Sequence, residues 1–345
     1  MFITPENQIR LLKQILLKYG VNEKDAQLTA EIFTEADLKG FTSHGIGRFH
    51  QTVIGLEAGV IVPNADIKIE KQSPATALIN GNLGLGYVIG AYAMDLAIEK
   101  AKNVGIGMVS TYNANHFGIT GHYSERAMKE GLIGIAITNT EPAMAPYGGT
   151  DKILGTNPVA IAIEGNETKF SLDMATASIA RGKIFEADRL SKQLPENSAL
   201  DKNGNPTNDP KEALNGCILP FGGIKGYGIA TAIELLSALG GAEVGTNVKG
   251  TADPKARCTK GDLFLAINPE FFGGSEIFKN RTDELITELK SSNLLTGFDE
   301  ILVAGEPEKR IWESKKDGYE LDKKLYDKLS KICEKNDIDI LKYVK

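Results

Sequence analysis

The alternation of helical and extended sequence patterns from residue 87 onward constrains the fold of this chain more than any other feature. Apolar residues at helical spacing over 87–103 and 120–129 alternate with strand-like runs at 105–111 and 132–138. Short glycine-bearing joints separate them, and this rhythm predicts an α/β architecture. Further strands are predicted at 158–163, 169–172 and 263–267, further helices at 178–190, 226–239, 283–291 and 322–335, and a polar loop at 193–210.

Two helices and a hairpin are predicted before this alternating region. Thr4 is a predicted N-cap with Pro5 at the first helical position, and apolar residues then recur at helical spacing until Gly20. Asn22 can cap the second helix, and Gly40 can supply the left-handed residue at its end. Alternating patterns at 66–71 and 76–79 predict the hairpin. The sequence therefore predicts a helical N-terminal layer in front of the α/β part.

Composition and charge exclude several classes of function. The 345 residues carry a net charge of −6, and no dense Lys/Arg cluster precedes the C-terminal tail, which argues against nucleic acid as the main partner. The scattered cysteines form neither a metal motif nor a disulfide framework. The first residues lack a signal-peptide pattern, and no run of about 18 apolar residues is present. We therefore expect a cytoplasmic protein with no nucleic-acid or membrane partner.

The glycine pattern at 84–90 comes close to a dinucleotide-binding motif without matching it. Its spacing is GxGxxxG rather than GxGxxG, and the next predicted strand ends at Tyr112-Asn113 with no acidic residue to hold a ribose. We predict a glycine-assisted helix start that packs closely against a neighbour, and not a Rossmann domain.

Two glycine-bearing segments, 43–50 and 113–122, hold all the histidines of the chain and predict a bipartite active site. The first also holds Ser43 and Arg48. An imidazole titrates near physiological pH, and a guanidinium fork suits a carboxylate. These residue types in two segments of one chain favour a site for a small anion. The histidines are His44, His50, His116 and His122.

A metal site and a nucleophilic mechanism are less favoured interpretations. His116 and His122 would lie on different faces of a helix, and Glu125 does not complete a ligand set, so we expect no metal. Ser43 beside His44 lacks a nucleophile-elbow motif, which favours a hydrogen-bonding neighbour over a nucleophile.

A glycine-rich turn at 219–228 leads into a predicted helix and has two interpretations. Its amides and Lys225 could hold a phosphate at the helix N-terminus. The segment could equally be a structural turn, and its spacing alone does not decide between them.

The order of these motifs resembles that of one family. The chain is similar to members of the malate/L-lactate dehydrogenase family, which also includes sulfolactate, ureidoglycolate, diketogulonate and cyclic-imine reductases. The similarity extends from the first helix to the helix after residue 307. The segments that carry it are FTSHGIGRF (41–49), NHFG (115–118), PAMAPYGG (142–149), GTNP (155–158), DMAT (173–176), FGGIKGYG (221–228) and AGEP (304–307).

This resemblance implies an L-sulfolactate dehydrogenase-like α/β fold, distinct from the Rossmann domain. A helical N-terminal layer would meet a mixed-sheet cofactor-binding domain, and the protein would be a homodimer with its active site in the cleft between the two parts. We expect a helical part with the hairpin at 1–75, the cofactor-binding domain at 76–300, and a segment at 301–345 that returns to the first part.

The resemblance also implies roles for individual residues. His116 matches the proton donor and acceptor, His44 matches a residue proposed for that role in some members, and Arg48 matches the carboxylate anchor. Ile224 replaces a more polar residue of the family motif, which leaves only its backbone contacts. The residues expected to face the substrate besides Arg48 are Ser43, Thr140 and Glu141, and those expected to contact the cofactor are Asp173, Met174, Ala175, Thr176, Ile224, Lys225, Ala304, Gly305 and Glu306.

We therefore expect hydride transfer between NAD, with NADP possible, and a small 2-hydroxy or 2-oxo acid of the malate or L-lactate type. A neutral imidazole can accept the hydroxyl proton during oxidation, and a guanidinium can orient the carboxylate. An alternative is a cyclic imine carboxylate reductase on the same scaffold, which protonates nitrogen instead of oxygen. A non-catalytic dimeric scaffold is less favoured, because His44, Arg48 and His116 are all retained.

Overall fold

The computed structural model describes the backbone of residues 1–345 and all side chains except those of residues 185, 186, 189 and 190. The helices are α1 (Pro5–Lys18), α2 (Glu23–Leu38), α3 (Ile46–Glu57), α4 (Gly86–Val104), α5 (Gly121–Met128), α6 (Arg181–Leu190), α7 (Pro210–Asn215), α8 (Ile224–Ser237), α9 (Ser275–Ser291), α10 (Glu306–Lys315) and α11 (Lys323–Lys335). The strands are β1 (Phe2–Ile3), β2 (Lys68–Gln72), β3 (Thr76–Gly84), β4 (Ile106–Ala114), β5 (Ile133–Thr138), β6 (Val159–Glu164), β7 (Lys169–Met174), β8 (Ala199–Leu200), β9 (Pro206–Thr207), β10 (Cys217–Ile218), β11 (Asp262–Ile267) and β12 (Tyr319–Glu320).

A seven-stranded mixed sheet forms the centre of the molecule, with the order β2-β3-β4-β11-β5-β6-β7. Strands β3 and β4 run parallel, whereas the other neighbouring pairs of this sheet are antiparallel. Strand β11 comes from late in the chain and enters between β4 and β5. The order and directions differ from the parallel sheet of a Rossmann domain, so the predicted mixed-sheet α/β fold is confirmed.

Helices cover both faces of this sheet. On one face, residues of α4 and α5 such as Ile89 and Tyr123 share a core cluster with Phe264 of β11. On the other face, Ile233 of α8 packs with Leu263, the neighbour of Phe264 on the same strand. Side chains of successive strand residues point to opposite faces, so one strand serves both layers.

The N-terminal helices form a separate layer that the C-terminus completes. Strand β1 pairs antiparallel with β12, and the Phe2 amide donates to the Lys345 carbonyl at 2.9 Å. One core cluster contains residues of α1, α2 and α3 together with Leu329 of α11 and Val344. The first and last segments of the chain are therefore parts of one packed unit.

The predicted helix caps are confirmed. The Thr4 hydroxyl accepts from the Asn7 amide at 3.2 Å, and the Asn22 side chain accepts from the Asp25 amide at 3.0 Å. Gly40 follows α2 with a φ of +86°, a value that L-residues with side chains rarely adopt. For each helix, one capping residue followed by apolar residues at helical spacing was thus sufficient to locate the start.

The predicted close packing at the start of α4 is also confirmed. A Cβ on Gly86 would lie 1.9 Å from the Asn115 carbonyl oxygen, and one on Gly90 would lie 2.7 Å from the ring of Tyr123. The missing side chains let α4 approach the segment that carries His116.

Three local expectations were incomplete or wrong. Helix α3 was not predicted, because its first amide is capped by a residue distant in sequence: the Ile46 N–H donates to the Asp37 carboxylate at 2.7 Å. The segment 193–210 is not only a loop, since β8 and β9 join β10 in a small three-stranded sheet. Helix α9 begins at Ser275, eight residues before the predicted 283. Strands of two residues carry too little pattern to be predicted.

Candidate active site

A narrow cleft lies between the helical layer and the central sheet. Its lining includes Arg48 from α3, Tyr87 from the first turn of α4, His116 from the segment after β4, and Thr251 from a loop before β11. The two segments that the sequence predicted to form a bipartite site therefore meet here.

The imidazole rings of His44 and His116 stack on each other beside Arg48. The ring centroids of His44 and His116 are 5.4 Å apart, and the ring planes differ by 26°, which is a stacked arrangement. Burial and the nearby Arg48 cation lower the pKa of His44 to about 4. Burial, Arg48, His44 and Lys260 lower the pKa of His116 well below its ordinary value. Both rings are therefore neutral near pH 7.

The hydrogen bonds at Nδ1 make the two imidazoles chemically different. The Gly118 amide donates to His116 Nδ1 at 3.2 Å, so the neutral His116 ring carries its proton on Nε2. The Ser43 hydroxyl lies 2.9 Å from His44 Nδ1. A hydroxyl can donate or accept, so His44 keeps this partner in either protonation state. A charged His116 ring, or a neutral ring with its proton on Nδ1, would lose its bond to Gly118.

The guanidinium of Arg48 keeps most of its donors available. It donates one hydrogen bond, to the carbonyl oxygen of Thr251, and among the described residues this is its one protein partner. A guanidinium has five N–H donors in a planar fork, which suits the two oxygens of a carboxylate. Arg48 can therefore bind an anion without giving up its protein contact.

Thr140 and Glu141 follow β5 and lie next to the Thr251 loop, which binds Arg48. The Glu141 carboxylate accepts from the Asp253 amide at 3.1 Å, and the Glu141 amide donates to the Thr251 hydroxyl at 2.9 Å. The Thr140 hydroxyl accepts from the Thr156 amide at 3.0 Å. Both side chains are thus engaged by the protein, and Glu141 fixes the loop whose carbonyl binds Arg48.

A buried carboxylate fixes the segment that carries His44 and Arg48. Asp37 is 4% exposed and accepts from the Gln8 amide at 2.8 Å and from the Ile46 N–H. The Tyr319 hydroxyl donates to Gln8, and Lys315 donates to the Asp37 carbonyl at 2.8 Å. Burial raises the pKa of Asp37 to about 6. The N-terminal helices and the C-terminal segment therefore position together the segment that carries His44 and Arg48.

The predicted cofactor-contact segments lie along β7. At one end, the Ser171 amide donates to the Ala304 carbonyl at 3.0 Å, and at the other the Phe221 amide donates to the Thr176 carbonyl at 3.1 Å. Ser171 and Thr176 are five positions apart, which corresponds to at most roughly 16 Å in a fully extended chain. The segments 173–176, 221–225 and 304–306 are thus connected through β7 and the residues that follow it.

A cavity of about 570 Å³ lies at the Ser171 end of this line. Asp173, Gly305 and Glu306 line it, together with Phe41 from the loop before Ser43. The Asp173 carboxylate accepts from the Gly121 amide at 2.7 Å, and burial raises the pKa of Asp173 to about 6. The volume of this cavity lies in the range of small-molecule sites.

The glycine turn at the other end opens directly onto a helix N-terminus. Gly222 and Gly223 have φ values of +57° and +64°, and α8 begins at the next residue with no side-chain cap. Ile224 is 62% exposed, and Lys225 is exposed beside it. Uncapped amides with an adjacent ammonium suit a phosphate or ribose edge. The residues present therefore fit an elongated, phosphate-bearing dinucleotide.

The remaining histidines and the cysteines lie in other environments. His122 Nδ1 pairs with Glu35 at 2.6 Å, and His50 Nδ1 contacts the Gly47 carbonyl at 2.9 Å. Within the described part of the chain, no group of three His, Cys, Asp or Glu side chains is arranged to hold a metal ion. Also among the described residues, no helix has the length and apolar character needed to cross a membrane. The unpaired, buried cysteines are Cys217, Cys258 and Cys333.

The sequence analysis missed Tyr87, Asp37 and Thr251. Tyr87 lies in the glycine pattern at 84–90, which was interpreted only as a helix start. Asp37 and Thr251 act through a carboxylate cap and a backbone carbonyl, and neither leaves a signal in local sequence.

Comparison with known proteins places this geometry in a family. The family model for malate/L-lactate dehydrogenase matches residues 3–330. The L-sulfolactate dehydrogenase of Methanocaldococcus jannaschii is 63% identical over 344 residues, which cover 100% of both chains. The malate/(S)-sulfolactate dehydrogenase of Methanothermus fervidus is 52% identical, with 99% of both chains covered.

The fold agrees with a solved structure over its full length. The sulfolactate dehydrogenase structure from M. jannaschii superposes with a TM-score of 0.97 at 63% identity and covers 100% of both chains. This chain therefore belongs to the malate/L-lactate dehydrogenase family and is a 2-hydroxy acid dehydrogenase that works with a nicotinamide cofactor.

Proposed function

We propose that this enzyme interconverts a 2-hydroxy acid that carries a second acidic group, of the sulfolactate or malate type, with its 2-oxo acid. The observation that carries the proposal is the pair of neutral, stacked imidazoles beside the available guanidinium of Arg48. The names of the two relatives at 63% and 52% identity support the substrate class.

The residues of the cleft divide the chemical tasks. Arg48 holds the carboxylate and so fixes which face of the substrate carbon is presented. His116 exchanges a proton with the reacting oxygen at Nε2. To accept that proton, the neutral ring must hold its own proton on Nδ1 and give up the bond from the Gly118 amide. His44 beside the Ser43 hydroxyl is the second candidate, and its partner serves either protonation state. When bound, the nicotinamide ring accepts or supplies the hydride.

A substrate panel tests this proposal. Sulfopyruvate, oxaloacetate, pyruvate and piperideine-2-carboxylate are each assayed with NADH and with NADPH. We expect higher kcat/KM for sulfopyruvate and oxaloacetate than for pyruvate. Turnover of the cyclic imine alone would instead establish an imine reductase. If neither dinucleotide raised the melting temperature and no substrate turned over, the chain would be a non-catalytic scaffold.

The pH dependence of the two directions should differ. Oxidation needs a neutral imidazole, and both histidines have lowered pKa values, so kcat/KM for oxidation is expected to stay constant from pH 8 down to pH 6.5, near the ordinary pKa of His. Reduction needs a proton from the imidazolium, which is scarce at pH 7, so its kcat should rise as the pH falls over the same range. An oxidation limb with an apparent pKa at or above 6.5 would show that the pKa of the group that accepts the proton is not lowered.

We propose that NAD(H) is the cofactor, with NADP(H) as the second candidate, and that Lys225 and the turn before α8 bind it. Lys225→Ala is expected to raise the Kd of NADH roughly 3- to 30-fold, because an ammonium contact to an anion or its ribose is lost. Fluorescence titration measures this Kd, and the loss should shrink as salt is added.

A matched control for this change is Lys24→Ala, which removes an exposed lysine from the first turn of α2. It should leave the Kd of NADH unchanged. An unchanged Kd in Lys225→Ala would make 219–228 a structural turn and would leave residues 173–176 as the main cofactor candidates.

We also propose that two copies associate through the exposed face of α8. This face presents Ile224, Ile229, Leu235 and Leu236 to the outside, with exposures between 43% and 64%. Large apolar patches of this kind on a helix favour a partner surface, and light scattering can measure the mass of the resulting dimer.

The unpaired cysteines support the cytoplasm as the compartment. We propose domain boundaries at 1–75, 76–300 and 301–345.

A further inference from the structure

The hydroxyl of Tyr87 is a buried donor without a partner. Tyr87 is 2% exposed, and its phenol oxygen makes no hydrogen bond with any described residue. Burial raises the pKa of Tyr87, and Arg48 and Thr52 lower it only in part, so the hydroxyl keeps its proton. The Thr52 side chain is close, but its hydroxyl does not meet hydrogen-bond geometry with the phenol oxygen. A buried polar group without a partner is costly and uncommon in a folded protein.

The position of the Tyr87 ring is tightly fixed. Its centroid lies 4.7 Å from that of Phe33 and 6.3 Å from that of His116. A Cβ on Gly118, which has a φ of +85°, would lie 2.9 Å from the Tyr87 ring. The hydroxyl therefore cannot leave the cleft for another partner without repacking the N-terminal core.

Two of the groups that line the cleft with this hydroxyl are hydrogen-bond donors. Arg48 has several N–H groups without a described protein partner, and the neutral His116 ring carries its proton on Nε2. Both line the cleft with Tyr87. A 2-oxo acid has three oxygens that accept hydrogen bonds, two on the carboxylate and one on the carbonyl. Donors that line one cleft without a protein acceptor are complementary to such a ligand.

We propose that Tyr87 is a substrate-binding residue whose hydroxyl donates a hydrogen bond to the carboxylate that Arg48 holds. This inference rests on the proposed 2-hydroxy acid dehydrogenase activity. The hydroxyl is satisfied when substrate enters, so it contributes to substrate affinity and not to the stability of the free enzyme.

The test is Tyr87→Phe, which removes one oxygen and keeps the ring contacts with Phe33. We expect KM for the 2-oxo acid to rise roughly 10- to 100-fold, as for loss of a hydrogen bond to a charged group. The kcat should change less than KM, and the Kd of NADH should stay constant. The melting temperature of the free variant should not fall, because the lost hydroxyl had no partner.

The control is Tyr343→Phe, since the Tyr343 hydroxyl donates to Gln14 and neither residue lines the cleft. This variant should lose thermal stability and keep its KM. Oxalate provides a second measurement, because its affinity for the enzyme with NADH reports carboxylate binding without turnover, and Tyr87→Phe should weaken it similarly.

Unchanged KM and unchanged oxalate affinity in Tyr87→Phe would overturn the inference, and so would a fall in melting temperature with KM intact. Failure of the proposed function is distinguishable, because the wild-type enzyme itself would then fail to turn over the hydroxy-acid panel.

Discussion

Replacing His116 with Ala is expected to lower kcat roughly 10²- to 10⁴-fold, because the group that exchanges a proton with the reacting oxygen is lost. The Kd of NADH should change little, since the segments proposed to contact the cofactor lie at β7 and at the start of α8. Steady-state kinetics and a fluorescence titration measure the two quantities.

The control for this change is His50→Ala, which removes an imidazole from the outer part of α3 whose Nδ1 contacts the Gly47 carbonyl. Its kcat should stay near the wild-type value. Near-wild-type turnover in His116→Ala would transfer the proton-exchange role to His44, whose Ser43 partner tolerates both protonation states. His44→Ala would then carry the large loss.

Arg48→Lys is expected to raise KM for the 2-oxo acid roughly 10- to 100-fold even though the positive charge is kept. A lysine presents a point charge without the planar fork, so it loses the bidentate contact with a carboxylate. The kcat should also fall, because a less constrained carboxylate lets the reacting carbon turn away from the productive orientation.

Arg126→Lys is a matched control, because Arg126 contacts both oxygens of Asp95 on the outer surface of α5. The same chemical change there should leave KM unaltered. If Arg48→Lys lowered the melting temperature and left KM unchanged, Arg48 would only brace the loop that contains Thr251.

The sequence predicted most of the central architecture, because each element there has a strong local signal. Thr4-Pro5 and Asn22 marked the helix starts, and the short apolar runs of β4, β5 and β11 marked the strands. The strand order could not be predicted, since β11 pairs with two strands that precede it by more than a hundred residues. Such pairing depends on the folded surfaces and not on local pattern.

The residues of the site were likewise predicted only in part. Titratable and charged residues between glycines, such as His44, Arg48 and His116, are visible in sequence. The groups that position them are not, because Gly118 acts through its amide and Thr251 through its carbonyl. Tyr87 was missed for another reason: an aromatic residue at the start of a helix is typical of a core, and its unpartnered hydroxyl is visible only in three dimensions.

The closure of the N-terminal layer by the last segment determines when each half of the cleft can form during synthesis. The strand that completes the sheet around His116 ends at Ile267. The loop that carries His44 and Arg48 is held by Asp37 and Gln8, and Gln8 in turn bonds to Tyr319. A growing chain can thus pair its sheet before Tyr319 has left the ribosome, while α1–α3 still lack the residues that complete their core. The helices made first are the last to be fixed, and a nascent chain completes the support of the segment with His44 and Arg48 only when translation is almost finished.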